Sequence, residues 1–483
     1  MNKLFRKVLN SGMGYLPFKI IEGVFGILSL SLYTYLLTTT TYGQYGVVNT
    51  TMMVVYLLTI GWFMFVANRY VKEQKTDEDK RIFYSNLLGL QGLVFAGLFL
   101  VYIVFSLIMV KVFEYDVKLL LVYVLFFAGY MMTQFYTHML LYVDRRLMNV
   151  ILVVLSAVAK PCLVYLLYRA GVETLYILFI GHGLVDLLMG SIAFGAIGPY
   201  RFFDAGLVKI AKFKEFFAYG FPLIGLTLTM YILNISDRYI IKGFYSDHEV
   251  GLYTSNYSLA SAAFLMISYG LSRGFYPRLL AAWKDNRKAE AEGILGSGIK
   301  NYLFLALPAA TGMYILSDNI GRAFIADKFS GGYPVIGLVA IGMFFLGLAE
   351  YANKGWELKG NTKPIFRNSL LAAVVNLVLN FAFVPRFGFI AAALTTALSF
   401  GVYFAVCFVN RMKEVQVKLN VREIASIILA DIVMAVVVYL AGGLKLPPMA
   451  LVISQVAVGG VSYMILIGLL RVYDIKEFIN RES

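Results

Sequence analysis

The sequence has 483 residues, of which 60% are hydrophobic and only 14% are charged, and its mean hydropathy is +0.75. This is more apolar surface than a soluble core can bury, so the composition excludes an ordinary soluble protein and predicts a polytopic membrane protein. The formal charge of +14 also suits a nucleic-acid-binding protein. The basic residues are instead spread over short segments between apolar runs, where anionic lipid headgroups explain them, so we expect no nucleic-acid partner.

The cysteines and histidines exclude most metal and redox chemistry. Cys162 and Cys407 lie in apolar runs without CxxC spacing, and His138, His182 and His248 are far apart without an HExxH arrangement. A membrane glycosyltransferase or polysaccharide polymerase would need a sizeable loop outside the membrane or clustered catalytic acids, and the sequence offers neither. We therefore expect no metal site and no enzymatic activity.

Fourteen apolar runs are long enough to cross a bilayer, which takes about 20 helical residues. The predicted spans are residues 13–37, 45–66, 82–109, 118–141, 148–168, 174–197, 217–241, 250–272, 300–318, 331–353, 368–385, 387–410, 424–440 and 448–470. Lys and Arg concentrate at the N-terminus, in every second loop and at the C-terminus, which predicts that both termini lie in the cytoplasm. The predicted fold class is an all-α polytopic membrane protein of about 14 transmembrane helices.

A weak internal repeat divides these spans. Tyr42-Gly43-Gln44-Tyr45 follows the first span and Val250-Gly251-Leu252-Tyr253 follows the seventh, while Gly171 and Gly388 join spans five to six and eleven to twelve. The repeat predicts two six-helix bundles around a central cavity plus two extra C-terminal helices. The predicted domains are an N-terminal bundle at 1–200, a cytoplasmic linker at 201–215, a second bundle at 216–411, and two further helices with a cytoplasmic tail at 412–483.

Two segments carry a family resemblance. The run Asp237-Arg238-Tyr239-Ile240-Ile241, followed by Glu249-Val250-Gly251-Leu252-Tyr253, resembles the seventh-to-eighth helix signature of polysaccharide-transport flippases. The stretch 376–392, with Asn376, Asn380, Pro385, Phe387-Gly388 and Ala391-Ala392, resembles the eleventh-to-twelfth helical hairpin of the same proteins. That family belongs to the multidrug/oligosaccharidyl-lipid/polysaccharide exporter superfamily.

The resemblance implies a flippase that moves an undecaprenyl-diphosphate-linked glycan to the outer leaflet by alternating access, for cell-surface polysaccharides such as O-antigen or capsule. It implies membrane lipid, that lipid-linked glycan, a polysaccharide polymerase and glycosyltransferases as partners. It also implies the bacterial inner membrane as the location. We expect no cofactor, and H⁺, Na⁺ and the membrane potential stay open as alternatives for the driving force. The alternative within the superfamily is a multidrug or cation antiporter.

Ionisable residues inside a bilayer are costly unless they line a cavity or find partners, so they are the candidate functional residues. Candidates for a cationic substrate cavity are Lys19, Lys160, Arg238, Arg69, Arg273 and Arg278. Candidates for ion coupling are Glu22, Asp186, Asp237 and Glu350.

Several of these candidates have an ordinary structural alternative. Lys19 and Glu22 lie one helical turn apart, so they either neutralise each other or present Lys19 to the diphosphate. Lys160 and Asp186 lie at similar depths in the hairpin of spans five and six, which makes an ion pair feasible. That pair either locks two helices together or acts as a coupling site.

The other candidates lie closer to the ends of their spans. Asp237 and Arg238 point about 100° apart on one helix, so one is expected to face the cavity and the other the interface, unless Arg238 snorkels beside a solvated Asp237. Glu350 precedes Lys354 by four residues, the spacing of a surface ion pair. The arginines at 69, 273 and 278 either meet the diphosphate at the cytoplasmic entrance or serve as positive-inside anchors.

Overall fold

A computed structural model of the protein describes residues 16–113, 116–415, 417 and 419–473, with the backbone alone for residues 16–20, 113, 226, 269 and 273. This part of the chain forms eighteen α-helices and no strand. In chain order they are α1 Leu16–Leu36, α2 Thr39–Tyr56, α3 Phe63–Tyr70, α4 Asp77–Phe113, α5 Val117–Met132, α6 His138–Tyr142, α7 Arg146–Arg169, α8 Thr174–Ile197, α9 Ile210–Gly220, α10 Ile224–Phe244, α11 Asp247–Lys284, α12 Lys288–Ile315, α13 Ser317–Phe324, α14 Tyr333–Leu358, α15 Lys363–Phe387, α16 Phe389–Val409, α17 Val421–Ala441 and α18 Pro448–Leu469.

Most of these helices are built for a bilayer, and the all-α membrane fold is confirmed. Within the described ranges, nine helices are long and apolar enough to cross a membrane, or up to twelve if each of three bent helix pairs counts as one span. The number fourteen stays a prediction. The individual bounds agree closely in several places: the predicted span 174–197 is α8, and the predicted span 387–410 is α16.

The chain divides into two compact units. One comprises Gln44–Tyr231, and the other combines the described residues of Met1–Gly43 with those of Ile232–Ser483. The first helix therefore groups with the C-terminal helices, because α1 packs against α11. The predicted domain bounds were drawn from loops and repeats and differ from this grouping; they stay a prediction.

In the unit Gln44–Tyr231, glycines allow α5 and α8 to approach closely. A Cβ on Gly129 would overlap the carbonyl oxygen of Gly183, and a Cβ on Gly190 would collide with the backbone of Met132. Small residues at helix contacts are the usual means of close packing in membranes, where no hydrophobic force drives helices together. Beside this contact, two five-residue π-helical segments, Leu57–Gly61 and Thr133–Thr137, interrupt the α-helical hydrogen bonding.

In the other unit, α14 packs against α16, and the α17–α18 hairpin packs on α12 and α13. Polar bonds fix that hairpin in addition to apolar contacts. The Tyr463 hydroxyl donates to the carbonyl oxygen of Phe304 at 3.0 Å, and Asn319 donates to the side-chain oxygen of Gln455 at 3.0 Å. The two additional C-terminal helices are thus an integral part of the unit.

The glycines of the internal repeat meet at a reciprocal contact. A Cβ on Gly43 would overlap the carbonyl oxygen of Asp247, and a Cβ on Gly251 would overlap the carbonyl oxygen of Thr39. Asp247 and Thr39 each precede a repeat glycine by four residues, so the two helix starts touch each other in the same way. The Thr39 hydroxyl, 2.6 Å from Nδ1 of His248, adds a polar bond at this contact.

The second pair of repeat glycines also has matching geometry. Gly171 has φ of +77° after α7, and Gly388 has φ of +77° after α15. Both turns need a positive φ, which glycine adopts without steric cost. Each glycine closes a helical hairpin in its own unit, as the sequence predicts.

Candidate functional site

The carboxylate of Asp237 is the most enclosed acidic group of the family signature. Asp237 lies on α10 and its side chain is 0% exposed. It accepts a hydrogen bond from the amide of Asn380 at 2.7 Å, from the hydroxyl of Thr396 at 2.7 Å, and from the hydroxyl of Tyr253. Helices α10, α11, α15 and α16 each supply one of these groups, so the carboxylate joins four helices.

A second row of polar groups extends this Asp237 cluster. Asn376 lies one helical turn before Asn380, and its side-chain oxygen accepts from the Asn380 amide at 3.2 Å and from the Ser236 hydroxyl at 3.0 Å. The Thr395 hydroxyl donates to the side-chain oxygen of Asn380. Every member except Asp237 is neutral, so the cluster surrounds one carboxylate with oxygen and amide groups.

Arg238 is buried beside this cluster but does not pair with its carboxylate. Its side chain is 8% exposed. The guanidinium donates to the backbone carbonyl of Asn234 at 3.0 Å and lies 5.1 Å from the ring centroid of Tyr257. The interpretation of a solvated Asp237 beside a snorkelling Arg238 is therefore wrong, because four packed helices enclose both side chains.

Lys160 and Asp186 form a buried ion pair in the unit Gln44–Tyr231. The Lys160 ammonium lies 2.8 Å from Oδ1 of Asp186, and their side chains are 25% and 3% exposed. One turn before Asp186, Nδ1 of His182 lies 2.9 Å from the hydroxyl of Tyr45. The predicted pairing of Lys160 with Asp186 is confirmed, and the pair joins α7 to α8.

Three further candidates are Lys19, Glu22 and Arg273. The side chains of Lys19 and Arg273 lie outside the described residues. Glu22 is half-buried on α1 and has an interaction partner. The roles of these three residues stay predictions.

The remaining basic candidates are exposed. The Arg69 guanidinium lies 4.5 Å from the ring centroid of Tyr219 and 5.2 Å from that of Tyr70, so aromatic rings hold it at the end of α3. Arg278 is an exposed residue of α11. These positions leave open both the substrate role and the anchoring role.

Glu350 does not form the predicted pair with Lys354. The Lys354 ammonium instead lies 2.8 Å from the carboxylate of Glu357, one turn further along α14. In the described part of the chain, no hydrogen bond or ion pair reaches the exposed Glu350. Glu357, three residues after Lys354, competes with Glu350, four residues before it, and the spacing rule alone does not say which carboxylate the lysine chooses.

Sequence reasoning missed a further buried acid, Asp431 on α17. Its side chain is 7% exposed, and one oxygen accepts from the hydroxyl of Thr311 on α12 at 2.8 Å. The signal was present, since Asp431 is an ionisable residue inside a predicted span. Among the described residues, no three His, Cys, Asp or Glu side chains lie close enough together to hold a metal ion.

Comparison with known proteins shows that the chain is similar to polysaccharide biosynthesis proteins and to flippases. A family model described as polysaccharide biosynthesis protein matches residues 12–283, more than half of the chain, and a model described as lipid II flippase MurJ matches residues 248–457. A probable low-salt glycan biosynthesis flippase of Haloferax volcanii is 21% identical over 226 residues, 47% of this chain and 48% of the relative. The probable flippase AglR of the same organism is 25% identical over 293 residues, 59% of this chain and 58% of the relative.

A third relative, the capsular polysaccharide biosynthesis protein CapF of Staphylococcus aureus, is 23% identical over 40% of this chain and 48% of its own length. The chain thus matches about half the length of these curated relatives. A lipid II flippase MurJ in an inward closed conformation superposes with a TM-score of 0.76 at 17% identity, covering 94% of this chain and 98% of that one. An inward-facing multidrug resistance transporter of the MATE family superposes with a TM-score of 0.58 at 12% identity, covering 81% of this chain and 96% of that one.

The two structural likenesses establish the fold, and the family model covers the N-terminal half together with the first signature segment. The resemblance carried by Asp237–Ile241 and Glu249–Tyr253 agrees with the fold and with the family model. The chain belongs to the polysaccharide biosynthesis protein family.

Proposed function

We propose that the protein is a flippase that moves an undecaprenyl-diphosphate-linked oligosaccharide from the inner to the outer leaflet by alternating access, for cell-surface polysaccharide synthesis. The protein is located in the bacterial cytoplasmic membrane, with both termini in the cytoplasm. The flippase names of the relatives support a transporter rather than an enzyme. A polymerase and glycosyltransferases are the expected partners, since they consume and supply such a glycan.

The observation that carries this proposal is the carboxylate of Asp237, fully buried in membrane-type helices without a cationic partner among the described side chains. Keeping a carboxylate charged in such a place costs several kcal/mol. Transporters keep such groups where a small cation binds during the cycle. We assign Asp237 as the coupling residue and Na⁺ or H⁺ as its cation.

The chemistry of the cluster suits a monovalent cation. Hard cations prefer oxygen ligands, and the hydroxyl oxygens of Thr396 and Tyr253 lie next to the carboxylate. The side-chain oxygen of Asn376 lies one hydrogen bond further away, beyond the Asn380 amide. One carboxylate among neutral oxygens balances a single positive charge. Cation binding would compete with the Asn380 and Thr396 donors for the carboxylate, so occupation and release would change the bonds that join α10, α15 and α16.

Lys160 is the described basic candidate whose ammonium pairs with a buried acid, Asp186. Its side chain is 25% exposed, which leaves part of it accessible while Asp186 holds it in position. A diphosphate carries the charge to which such an ammonium binds. We assign Lys160 as a diphosphate contact whose pairing with Asp186 exchanges during transport.

The test is leaflet exchange in liposomes that contain the purified protein and a fluorescent undecaprenyl-diphosphate oligosaccharide. Wild type is compared with Asp237→Asn and Lys160→Ala, under a Na⁺ gradient at fixed pH and under a pH gradient at fixed Na⁺. Asp431→Asn is the matched control, because it removes another buried carboxylate charge from the same unit. We expect Asp237→Asn to abolish the ion dependence and Lys160→Ala to slow exchange, while Asp431→Asn resembles wild type.

Two results would contradict the proposal in different ways. Ion-driven exchange that survives in Asp237→Asn removes the coupling assignment and leaves the flippase intact. Absence of glycolipid exchange, combined with ion-linked movement of small cationic drugs, replaces the flippase by the antiporter.

A further inference from the structure

The unit Gln44–Tyr231 contains an apolar pocket that the proposed transport does not use. Its volume is about 500 Å³, within the range of about 300–1,000 Å³ typical of small-molecule sites. Its walls come from α4, α5 and α8, both π-helical segments, and the turn after α8. The side chains that matter for its chemistry are those of Ile60, Gln91, Phe135, Tyr136, Tyr200 and Phe203.

We call this cavity the Gln91 pocket. The side chain of Gln91 gives it one unsatisfied hydrogen-bond donor. The side chain is 8% exposed, and its oxygen accepts from the Tyr136 hydroxyl at 3.4 Å. Its amide nitrogen is buried without a hydrogen-bond partner in the described structure. A buried donor left unpaired costs about 1–3 kcal/mol, so a ligand with an acceptor at this point would gain that amount.

A water molecule is a poor match for this donor. An ordered buried water needs two to four polar partners, and the wall around Gln91 is almost entirely apolar. The ligand that satisfies both the wall and the donor is a hydrocarbon chain that carries a single acceptor. An ester-linked acyl chain has this composition, whereas a polyprenyl chain carries no acceptor along its length.

The two π-helical segments contribute to the wall of the Gln91 pocket. Ile60 comes from Leu57–Gly61, and Phe135 and Tyr136 come from Thr133–Thr137. A π turn inserts one residue into an α-helix and is found mostly at functional sites. Two such turns on one pocket indicate a site shaped to hold a ligand rather than a packing defect.

The pocket mouth carries positive charge. Tyr200 and Phe203 line it and are 49% and 46% exposed. The guanidinium of Arg201 lies 5.7 Å from the ring centroid of Tyr200, and in the described structure no acidic side chain pairs with it. The Lys80 ammonium, 5.6 Å from the ring of the neighbouring Phe202, is already paired with Asp77 at 2.9 Å. Arg201 is therefore the cation at the mouth that an anionic headgroup would contact.

The distance along α4 fits one lipid molecule. The Ser85 hydroxyl donates to the carbonyl oxygen of Phe202 at 3.1 Å, which fixes the turn with Arg201 to the helix. Gln91 lies six residues further on, or about 9 Å at 1.5 Å per residue. One phospholipid spans such a distance from its headgroup to its ester region, so it can place its phosphate near Arg201 and its ester carbonyl near Gln91.

We propose that the Gln91 pocket binds one acyl chain of an anionic, ester-linked phospholipid, with the amide of Gln91 donating to the ester carbonyl and Arg201 contacting the phosphate. This is a site for a resident bilayer lipid. It is independent of the transported glycolipid and of the Asp237 cluster.

The test measures lipid binding by native mass spectrometry and thermal shift on the full-length protein in detergent. The probes are ester-linked phosphatidylglycerol, its ether-linked analogue, which lacks the carbonyls, and undecaprenyl phosphate. We expect wild type to bind the ester lipid about tenfold more tightly than the ether lipid, the effect of one hydrogen bond that satisfies a buried donor. Gln91→Leu should bind the two equally.

Gly92→Leu tests the position of the site. Gly92 lines the pocket, and a Cβ there meets no atom within 4 Å, so leucine can fill the pocket without a clash. Gly97→Leu is the matched control, since it lies on the same helix with equally open space outside the pocket lining. We expect only the Gly92 variant to lose phosphatidylglycerol.

Three outcomes would overturn the proposal. They are equal binding of ester and ether lipids by wild type, displacement of phosphatidylglycerol by undecaprenyl phosphate, and full lipid binding by Gly92→Leu. The first comparison needs no variant, so the proposal is testable even where a substitution impairs folding.

Discussion

Removing the Lys160 ammonium should destabilise the protein far more than removing an exposed lysine. The partner carboxylate of Asp186 is only 3% exposed, so Lys160→Met leaves a buried charge without compensation. Breaking such a pair costs about 3–5 kcal/mol in soluble proteins. The pair Lys212–Glu215 has a comparable distance of 2.6 Å, but its side chains are 39% and 46% exposed. Lys212→Met should therefore cost no more than about 1 kcal/mol.

The assay is equilibrium unfolding in mixed micelles of dodecyl maltoside and SDS, followed by helical circular dichroism, for both single variants and for the double variant Lys160→Met/Asp186→Leu. The double variant should recover most of the lost stability, because an apolar pair of similar size replaces a buried ion pair at little cost. Measured coupling energies of polar pairs between membrane helices reach about 1.7 kcal/mol. The coupling energy of Lys160 with Asp186 should lie above that value, because both members of this pair are charged. A Lys160→Met cost equal to that of Lys212→Met, or a coupling energy near zero, would refute this reasoning.

Other perturbations test the helix contacts and the ends of helices. Gly251→Ala should lower the melting temperature because its methyl group overlaps a neighbouring carbonyl, whereas Gly243→Ala has open space and should leave the melting temperature unchanged or raise it; equal effects would remove the contact argument. Ser246→Ala removes the capping box of α11 and should cost about 1 kcal/mol in the same unfolding assay, and no loss would show that the cap adds nothing. The hydroxyl of Tyr176 donates to Asp116 and is the main cause that lowers the pKa of that carboxyl, so the stability it adds is present above the unfolded pKa of about 3.9 and is lost as the pH falls through the lower folded value. Melting temperatures should separate wild type from Tyr176→Phe at pH 6 and converge in strong acid, and a constant difference at every pH would contradict the linkage.

The sequence predicts the membrane fold and one ion pair because both depend on local information. Apolar runs of sufficient length determine where helices lie, and a short turn at Gly171 determines which residues of α7 and α8 reach the same depth. The pairing of Lys160 with Asp186 followed from that hairpin alone. Where one turn joins two helices, residues at similar distances from it lie close enough in space for long side chains to meet.

The surroundings of Asp237 could not be predicted in the same way. Asn380 and Thr396 are separated from it by 143 and 159 residues, and no local rule brings them to one carboxylate. The family signature pointed to Asp237 but not to its burial. Glu350 shows the opposite difficulty, because a correct local rule met a second acid, Glu357, within reach of the same lysine.

The reciprocal contact of Gly43 and Gly251 has a consequence for the two helix starts that form it. In an isologous interface the same patch of two identical chains meets across a two-fold axis. If residue i of one copy contacts residue j of the other, then residue j of the first copy contacts residue i of the second. Here each repeat glycine meets the carbonyl oxygen four residues before the other, at Thr39 and at Asp247. Two copies of one helix start that are related by a two-fold axis would touch in this way. Within one chain, that symmetry makes the two glycines equally intolerant of substitution.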